Sequence, residues 1–186
     1  MRREFKVPKM EEVLEHDRRL LYALQQSMGF VPNVYAFMTR SETALKRFLD
    51  FMDVPTVFSP VQKEAIHLVT SQVNQNPYCL AAHTALAKEV GLTDEQIVAI
   101  RKGNVTWDEK LDTLVDFTCE LVTKRGKVSP EMTGRFYQAG YTDACLVDLV
   151  MLVGMTTVTN YLNNATWIPV DFPDAPVVIC NCDCKK

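Results

Sequence analysis

Apolar residues recur at spacings of three and four along most of the chain, and nearly every such run is bracketed by polar start signals and glycine stops. Val13, Leu20, Leu21, Leu24 and Met28 form one stripe, and Leu111, Leu114, Val115, Thr118, Leu121 and Val122 form another. Both follow the helical period. Ser59-Pro60-Val61-Gln62, Thr93-Asp94-Glu95-Gln96 and Thr106-Trp107-Asp108-Glu109 each match the capping box, whose two side chains satisfy the first unpaired N–H groups of a helix reciprocally. Asn76-Pro77, Ser129-Pro130 and Thr142 predict further N-caps, the first two with proline at the first helical position, where a missing N–H costs nothing. Gly91, Gly103, Gly126 and Gly140 fall just past periodic segments, where a helix stops most easily on a left-handed residue. Gly29-Phe30-Val31-Pro32-Asn33 predicts a loop, and Arg40-Ser41 divides the segment 34–52 into a short and a longer helix. No run alternates with the two-residue period of a strand. The pattern predicts an all-α fold of about seven or eight helices.

After Asn164 the periodicity stops. Ile168-Pro169-Val170-Asp171-Phe172-Pro173-Asp174-Ala175-Pro176 predicts an extended arm lying across a neighbouring surface. We expect a single domain over 1–186, with 165–186 as the arm and a cysteine-rich tail. The longest apolar run, 144–158, is interrupted by Asp148 and falls short of the roughly 20 residues that span a bilayer. It predicts a buried helix. A length of 186 residues with 47% apolar content supports an ordinary core. The net charge of −3, with both signs interspersed, offers no extended positive field, so neither nucleic acid nor a membrane surface is an expected partner. The basic opening segment lacks the apolar stretch of a signal peptide, which predicts a cytoplasmic location. Of six cysteines, three crowd into the last seven residues and the others lie far apart, which argues against a disulfide scaffold.

One constellation carries chemistry. Cys79 falls in the first turn of the helix that Asn76-Pro77 starts, and His83 follows one turn later on the same face, with Glu64 on the helix before. The helix N-terminus favours a thiolate, so Cys79 is a candidate nucleophile, with His83 and Glu64 as candidate proton-transfer groups. Taken one at a time, each has a plainer reading. A lone helical cysteine is usually a small buried hydrophobe, a histidine among Leu80, Leu86 and Ala87 is usually core, and a glutamate between Val61 and Leu68 needs a partner or solvent. The position three before Cys79 is Asn76, so no Cys-x-x-Cys pair forms. Glu64-x-x-His67 matches half of a di-iron carboxylate motif, but no second copy exists and His16 belongs to none. No metal and no cofactor are predicted, and His67 is read as a hydrogen-bonded helix residue. Cys180, Cys182 and Cys184 alternate in the tail and are candidate resolving thiols for Cys79, or ligands for a soft metal. Cys119 and Cys145 are read as packing.

Glu64, the pair of positions Asn76 and Cys79, and His83 followed by Thr84-Ala85-Leu86-Ala87 resemble the carboxymuconolactone decarboxylase and alkylhydroperoxidase D (AhpD-like) family. Gly29-Phe30-Val31-Pro32-Asn33, Thr93-Asp94-Glu95-Gln96 and Asn160-Tyr161-Leu162 through Phe172-Pro173 are similar to its peroxidase-related branch. The resemblance implies an all-helical protomer assembled as a homo-oligomer, a trimer or hexamer, and reduction of a small-molecule hydroperoxide by a cysteine pair with an external thiol reductant. In that scheme Cys79 takes the attacking position, Glu64 and His83 the proton relay, and Asn76 stands where the resolving cysteine would be. Tyr78 and Asn160 are site neighbours by resemblance only. The expected activity is an AhpD-like thiol peroxidase with one nucleophilic cysteine. The alternatives are a cofactor-free acid–base decarboxylase or isomerase acting on a small acid, and an oligomeric binding protein that has lost catalysis.

Overall fold

The structure, a computed structural model, describes residues 5–53 and 55–178. Among them are nine α-helices and one short 3-10 turn, Met10–Glu12, and no strand. The helices are α1 (Glu15–Met28), α2 (Asn33–Met38), α3 (Ala44–Met52), α4 (Pro60–Val73), α5 (Pro77–Glu89), α6 (Asp94–Lys102), α7 (Glu109–Thr123), α8 (Pro130–Gln138) and α9 (Asp143–Thr166). This is the expected all-α class. The helices divide between two compact units.

The first unit holds residues up to Pro55 together with Tyr161–Asp171. Here α3 packs against α1 and α2 around Leu21, Val34, Met38, Leu45 and Phe48. The Asn33 backbone N–H donates to Asp171 Oδ2 at 2.6 Å and its side chain to the Pro169 carbonyl at 3.1 Å, which ties the start of the extended arm to α2.

The second unit, Thr56–Asn160 with 172–178 among the described residues, carries the larger core and holds Glu64, Cys79 and His83. Helix α4 is its hub and packs on α5, α6 and α7, with α8 against α7. Ala65, Ile66, Leu68, Ile97, Ile100, Leu114, Phe136 and Leu149 are almost completely enclosed. The caps explain why the helices begin where they do. Ser59 and Thr93 form the expected capping boxes with Gln62 and Gln96, and Asn76 and Ser129 cap α5 and α8 with proline at the start of each. Thr142 accepts from the Cys145 N–H and so caps α9. One start is corrected: α7 is capped by Asp108, not Thr106. Asp108 Oδ1 accepts from Leu111 N–H while Asp112 takes the Val105 N–H, so a carboxylate two residues on displaces the threonine.

The expectation for the run 144–158 also needs correction. It lies in a 24-residue helix, α9, long and apolar enough by length and composition to cross a membrane. Yet α9 is not simply buried. Val147, Val150, Met151 and Val158 lie on the surface, whereas Thr156, Thr159 and Asn160 point inward at below 10% exposure. Its inward face thus turns from apolar at Leu149 to polar at Thr156, Thr159 and Asn160, and the polar stretch builds the site.

Candidate active site

Helices α4 and α5 are joined by Asn74, Gln75 and Asn76 alone. Gln75 takes the left-handed conformation, φ 51°, which costs a non-glycine residue roughly 1 kcal/mol. The sharp reversal lets the Asn76 N–H reach the Ser71 carbonyl at 3.0 Å and sets Asn76 at the head of α5.

Asn76 is fully buried and uses both ends of its amide. Its Oδ1 accepts from the Cys79 N–H at 2.7 Å, and its Nδ2 donates to the Asn160 carbonyl at 2.9 Å. Asn160 continues the network: its Nδ2 donates to Ser71 Oγ at 3.1 Å, and its Oδ1 accepts from Asn74 Nδ2 at 2.9 Å. These buried amides pin α9 to the start of α5. Leaving any of them unpaired would cost roughly 1–3 kcal/mol.

Cys79 is 3% exposed, and its sulfur lies 3.4 Å from Thr159 Oγ1. The Thr159 hydroxyl donates to the Thr156 carbonyl at 2.9 Å, which leaves its lone pairs to receive the S–H proton. This arrangement suits a neutral thiol. Burial pushes the Cys79 thiol above its ordinary range, with Thr159 and Asn160 pulling part of the way back. The expected thiolate is thus corrected, because loss of hydration outweighs the helix N-terminus. Among the described residues neither Glu64 nor His83 bonds the sulfur.

His83 and Glu64 do meet. Nδ1 of His83 is 2.8 Å from Glu64 Oε2, with the two side chains only 18% and 13% exposed. The carboxylate fixes the proton on Nδ1 and orients the ring, leaving Nε2 as the basic nitrogen. The stripe position between Val61 and Leu68 is explained by this partner.

His67 is the hydrogen-bonded helix residue that the sequence predicts, and it also belongs to the same cluster. Its ring stacks on His83 with centroids 4.4 Å apart at 21°. Its Nδ1 lies 2.7 Å from Thr156 Oγ1, whose own hydroxyl donates to the Leu152 carbonyl at 2.8 Å. Thr156 can therefore only accept, so His67 carries its proton on Nδ1 and keeps a lone pair on Nε2. Burial, then the fields of His83 and Lys63, hold His67 well below the ordinary histidine range, so it is neutral. The spacing of three from Glu64 was the sequence signal for its membership. Nothing in the sequence pointed to Thr156 or Thr159.

Of the remaining candidates, Tyr78 is buried and meets Phe172 edge-on at 5.8 Å, so it anchors the arm beside the site. Arg101 holds the same arm by donating to the Pro176 carbonyl at 2.8 Å. Cys119 and Cys145 are half-buried and in no disulfide among the described residues. Cys180, Cys182 and Cys184 lie outside the described residues.

Residues 32–109 match the carboxymuconolactone decarboxylase family. No curated protein matches the chain. The alkylhydroperoxidase AhpD core of a peroxidase-related protein from Ralstonia eutropha JMP134 superposes with a TM-score of 0.82 at 18% identity, covering 90% of this chain and 92% of that one. A peroxidase-related protein from Silicibacter sp. TM1040 gives 0.78 at 20% identity, over 89% and 90% of the two chains. The debrominase Bmp8, in a cysteine-to-alanine variant bound to 2,3,4-tribromopyrrole, gives 0.73 at 15% identity over 84% and 86%. The family match covers α2 to the start of α7, including Glu64, Cys79 and His83, and the structural likeness extends the AhpD-like fold over most of the chain. The chain thus carries a segment, 32–109, that is similar to the carboxymuconolactone decarboxylase family, within an AhpD-like fold.

Proposed function

We propose that this protein is a thiol-dependent oxidoreductase that reduces a small hydroperoxide through Cys79 alone, with the Glu64–His83 pair moving the proton. The observation that carries this reading is the 2.8 Å contact between Glu64 and His83 Nδ1, which frees Nε2 as a base one helical turn from Cys79. A buried neutral thiol is inert until such a base removes its proton.

In the reaction, His83 takes the S–H proton, directly or through one water. The thiolate attacks the terminal peroxide oxygen, an S–O bond forms as O–O breaks, and the departing alkoxide recovers the proton from His83. Cys79 is left as a sulfenic acid and the hydroperoxide as an alcohol. With asparagine at 76, reduction falls to an external thiol. Its attack on the sulfenic sulfur releases water and forms a mixed disulfide, and a second thiol frees Cys79 and leaves as the external disulfide. The debrominase of the same fold makes an aryl bromide a second electrophile to assay. A homo-oligomer would use the exposed apolar row on α9, Val147, Val150, Met151 and Val158.

The raised thiol favours one competing reading: acid–base decarboxylation or isomerisation of a small acid by Glu64 and His83, with Cys79 a spectator. Hydroperoxide consumption with excess dithiothreitol separates the two. Under the first reading Cys79→Ser lowers turnover on the order of a thousandfold or more. Full activity in that variant removes the thiol mechanism. A decarboxylation that survives Cys79→Ser and fails in His83→Ala puts the second in its place.

A further inference from the structure

Glu64, His67 and His83 each present one nitrogen or oxygen donor, and the three atoms lie within 4.8 Å of one another. From this cluster we infer a binding site for a divalent transition ion of the zinc type, with one carboxylate and two imidazoles as ligands and one position left open to water or a small anion. The inference goes beyond the thiol chemistry proposed above and stands on the three residues independently of it.

The donor set is the first argument. Two histidines and a glutamate are a common ligand trio for zinc in sites that retain a free position. The geometry is the second. Ligands about 2.0–2.1 Å from a tetrahedral ion lie about 3.4 Å apart. The Glu64–His83 pair at 2.8 Å is already closer than that, so the ion would take the place of the proton the pair shares. The His67 donor lies within 4.8 Å of the other two, so a small shift of the Glu64–His83 pair toward it completes the trio while its Thr156 bond is kept.

Orientation is the third argument and the one least expected of an ordinary core histidine. The Thr156 hydroxyl is committed to the Leu152 carbonyl, so it can only receive the His67 Nδ1 proton. That bond fixes the tautomer and leaves Nε2 with a lone pair and no hydrogen-bond partner among the described residues. An outer hydrogen bond of this kind is what locks imidazole ligands in metal sites. Burial keeps His67 neutral, the form that ligates. Glu64 and His83 retain some exposure, which gives an ion a way in.

A bound ion would occupy the His83–Glu64 pair and so silence the proton relay. The site therefore predicts inhibition of Cys79 chemistry by zinc and its recovery with a chelator.

The test is titration of the full chain, pretreated with chelator, with Co2+ followed by visible absorption. The expected result is one cobalt per chain with ligand-field bands but no sulfur-to-cobalt charge transfer, displaced by Zn2+. Glu64→Gln and His67→Phe should each weaken this binding at least about tenfold, and Thr156→Val about tenfold through the lost outer hydrogen bond. Helical circular dichroism establishes that each variant is folded, and Thr156→Val, which leaves all three ligands in place, serves if His67→Phe does not fold. Cobalt bound only with a sulfur charge-transfer band, as the tail thiols would give, overturns the inference. So does a sulfur-free signal that Glu64→Gln leaves unchanged. Hydroperoxide reduction by the chelator-treated protein is read separately, so failure of the metal site leaves the thiol mechanism to its own test.

Discussion

Two neighbouring regions of α5 solve opposite problems. Around Cys79 every polar group is neutral and paired: the amides of Asn76 and Asn160, the Ser71 and Thr159 hydroxyls and the thiol form a closed network. One turn away, Glu64, His83 and His67 are ionisable, close together, and retain lone pairs that no neighbour among the described residues uses. The first region is built for order and the second for proton or ion traffic. The contrast accounts for burial raising the Cys79 thiol although it sits at a helix N-terminus. Under the proposed mechanism, reactivity is delivered to it from the charged region.

The largest expected effect on that division of labour comes from Glu64→Gln. It removes the charge that orients His83 while keeping the shape, and peroxide turnover should fall about 10–100-fold at unchanged helical content. Unchanged turnover would separate the two regions functionally and leave Cys79 without its base. Next comes Asn76→Cys, which restores a Cys-x-x-Cys pair but deletes both the cap and the bond to the Asn160 carbonyl. A loss of roughly 1–3 kcal/mol is expected in urea unfolding under reducing conditions, and stability equal to the parent would show that the neutral network is dispensable.

The charged region also makes a pH statement. His67 is depressed in the folded state, so the stability it confers is complete above the unfolded pKa of about 6.5 and drains away as pH falls toward its folded value. In His67→Phe, unfolding free energy measured across mildly acidic pH should have a shallower slope than in the parent. Equal slopes would mean that His67 is not held neutral. The smallest expected effect concerns the sulfur. With the Cys79 pKa raised, its iodoacetamide reaction should have a midpoint above the free-thiol value of about 8.5. A midpoint below it would move Cys79 into the ionised region and erase the contrast. By the same linkage, stability contributed by the neutral thiol is present below the unfolded pKa and lost as pH rises through the folded one.

Much of this architecture was legible in the chain itself because helix ends are local. Ser59, Thr93, Asn76 and Ser129 cap helices whose first turns are set by the next three residues, and Gly91, Gly103, Gly126 and Gly140 all adopt positive φ where the periodic runs stop. The Glu64–His83 pair was legible because one helix reversal joins α4 to α5. What the sequence could not show depends on α9, some 80 residues downstream. Thr156 and Thr159 decide the tautomer of His67 and the protonation of Cys79, yet each reads as an ordinary threonine in an apolar run. The thiolate expectation failed for that reason, since burial is a tertiary quantity. The place of His67 in the cluster is hidden for a different one: Glu64-x-x-His67 looks for its partner in a second copy of the motif, whereas the second imidazole, His83, comes from α5.

Thr156 joins the two regions through separate atoms, its hydroxyl receiving His67 and its carbonyl receiving Thr159. A rotation of α9 by a fraction of a turn would slacken the His67 bond to Thr156 and the Cys79 bond to Thr159 at once, freeing one imidazole proton and loosening the acceptor of the S–H bond. Sulfur and imidazole are thus geared to a common shaft, and any event that turns that helix would be felt in step at both.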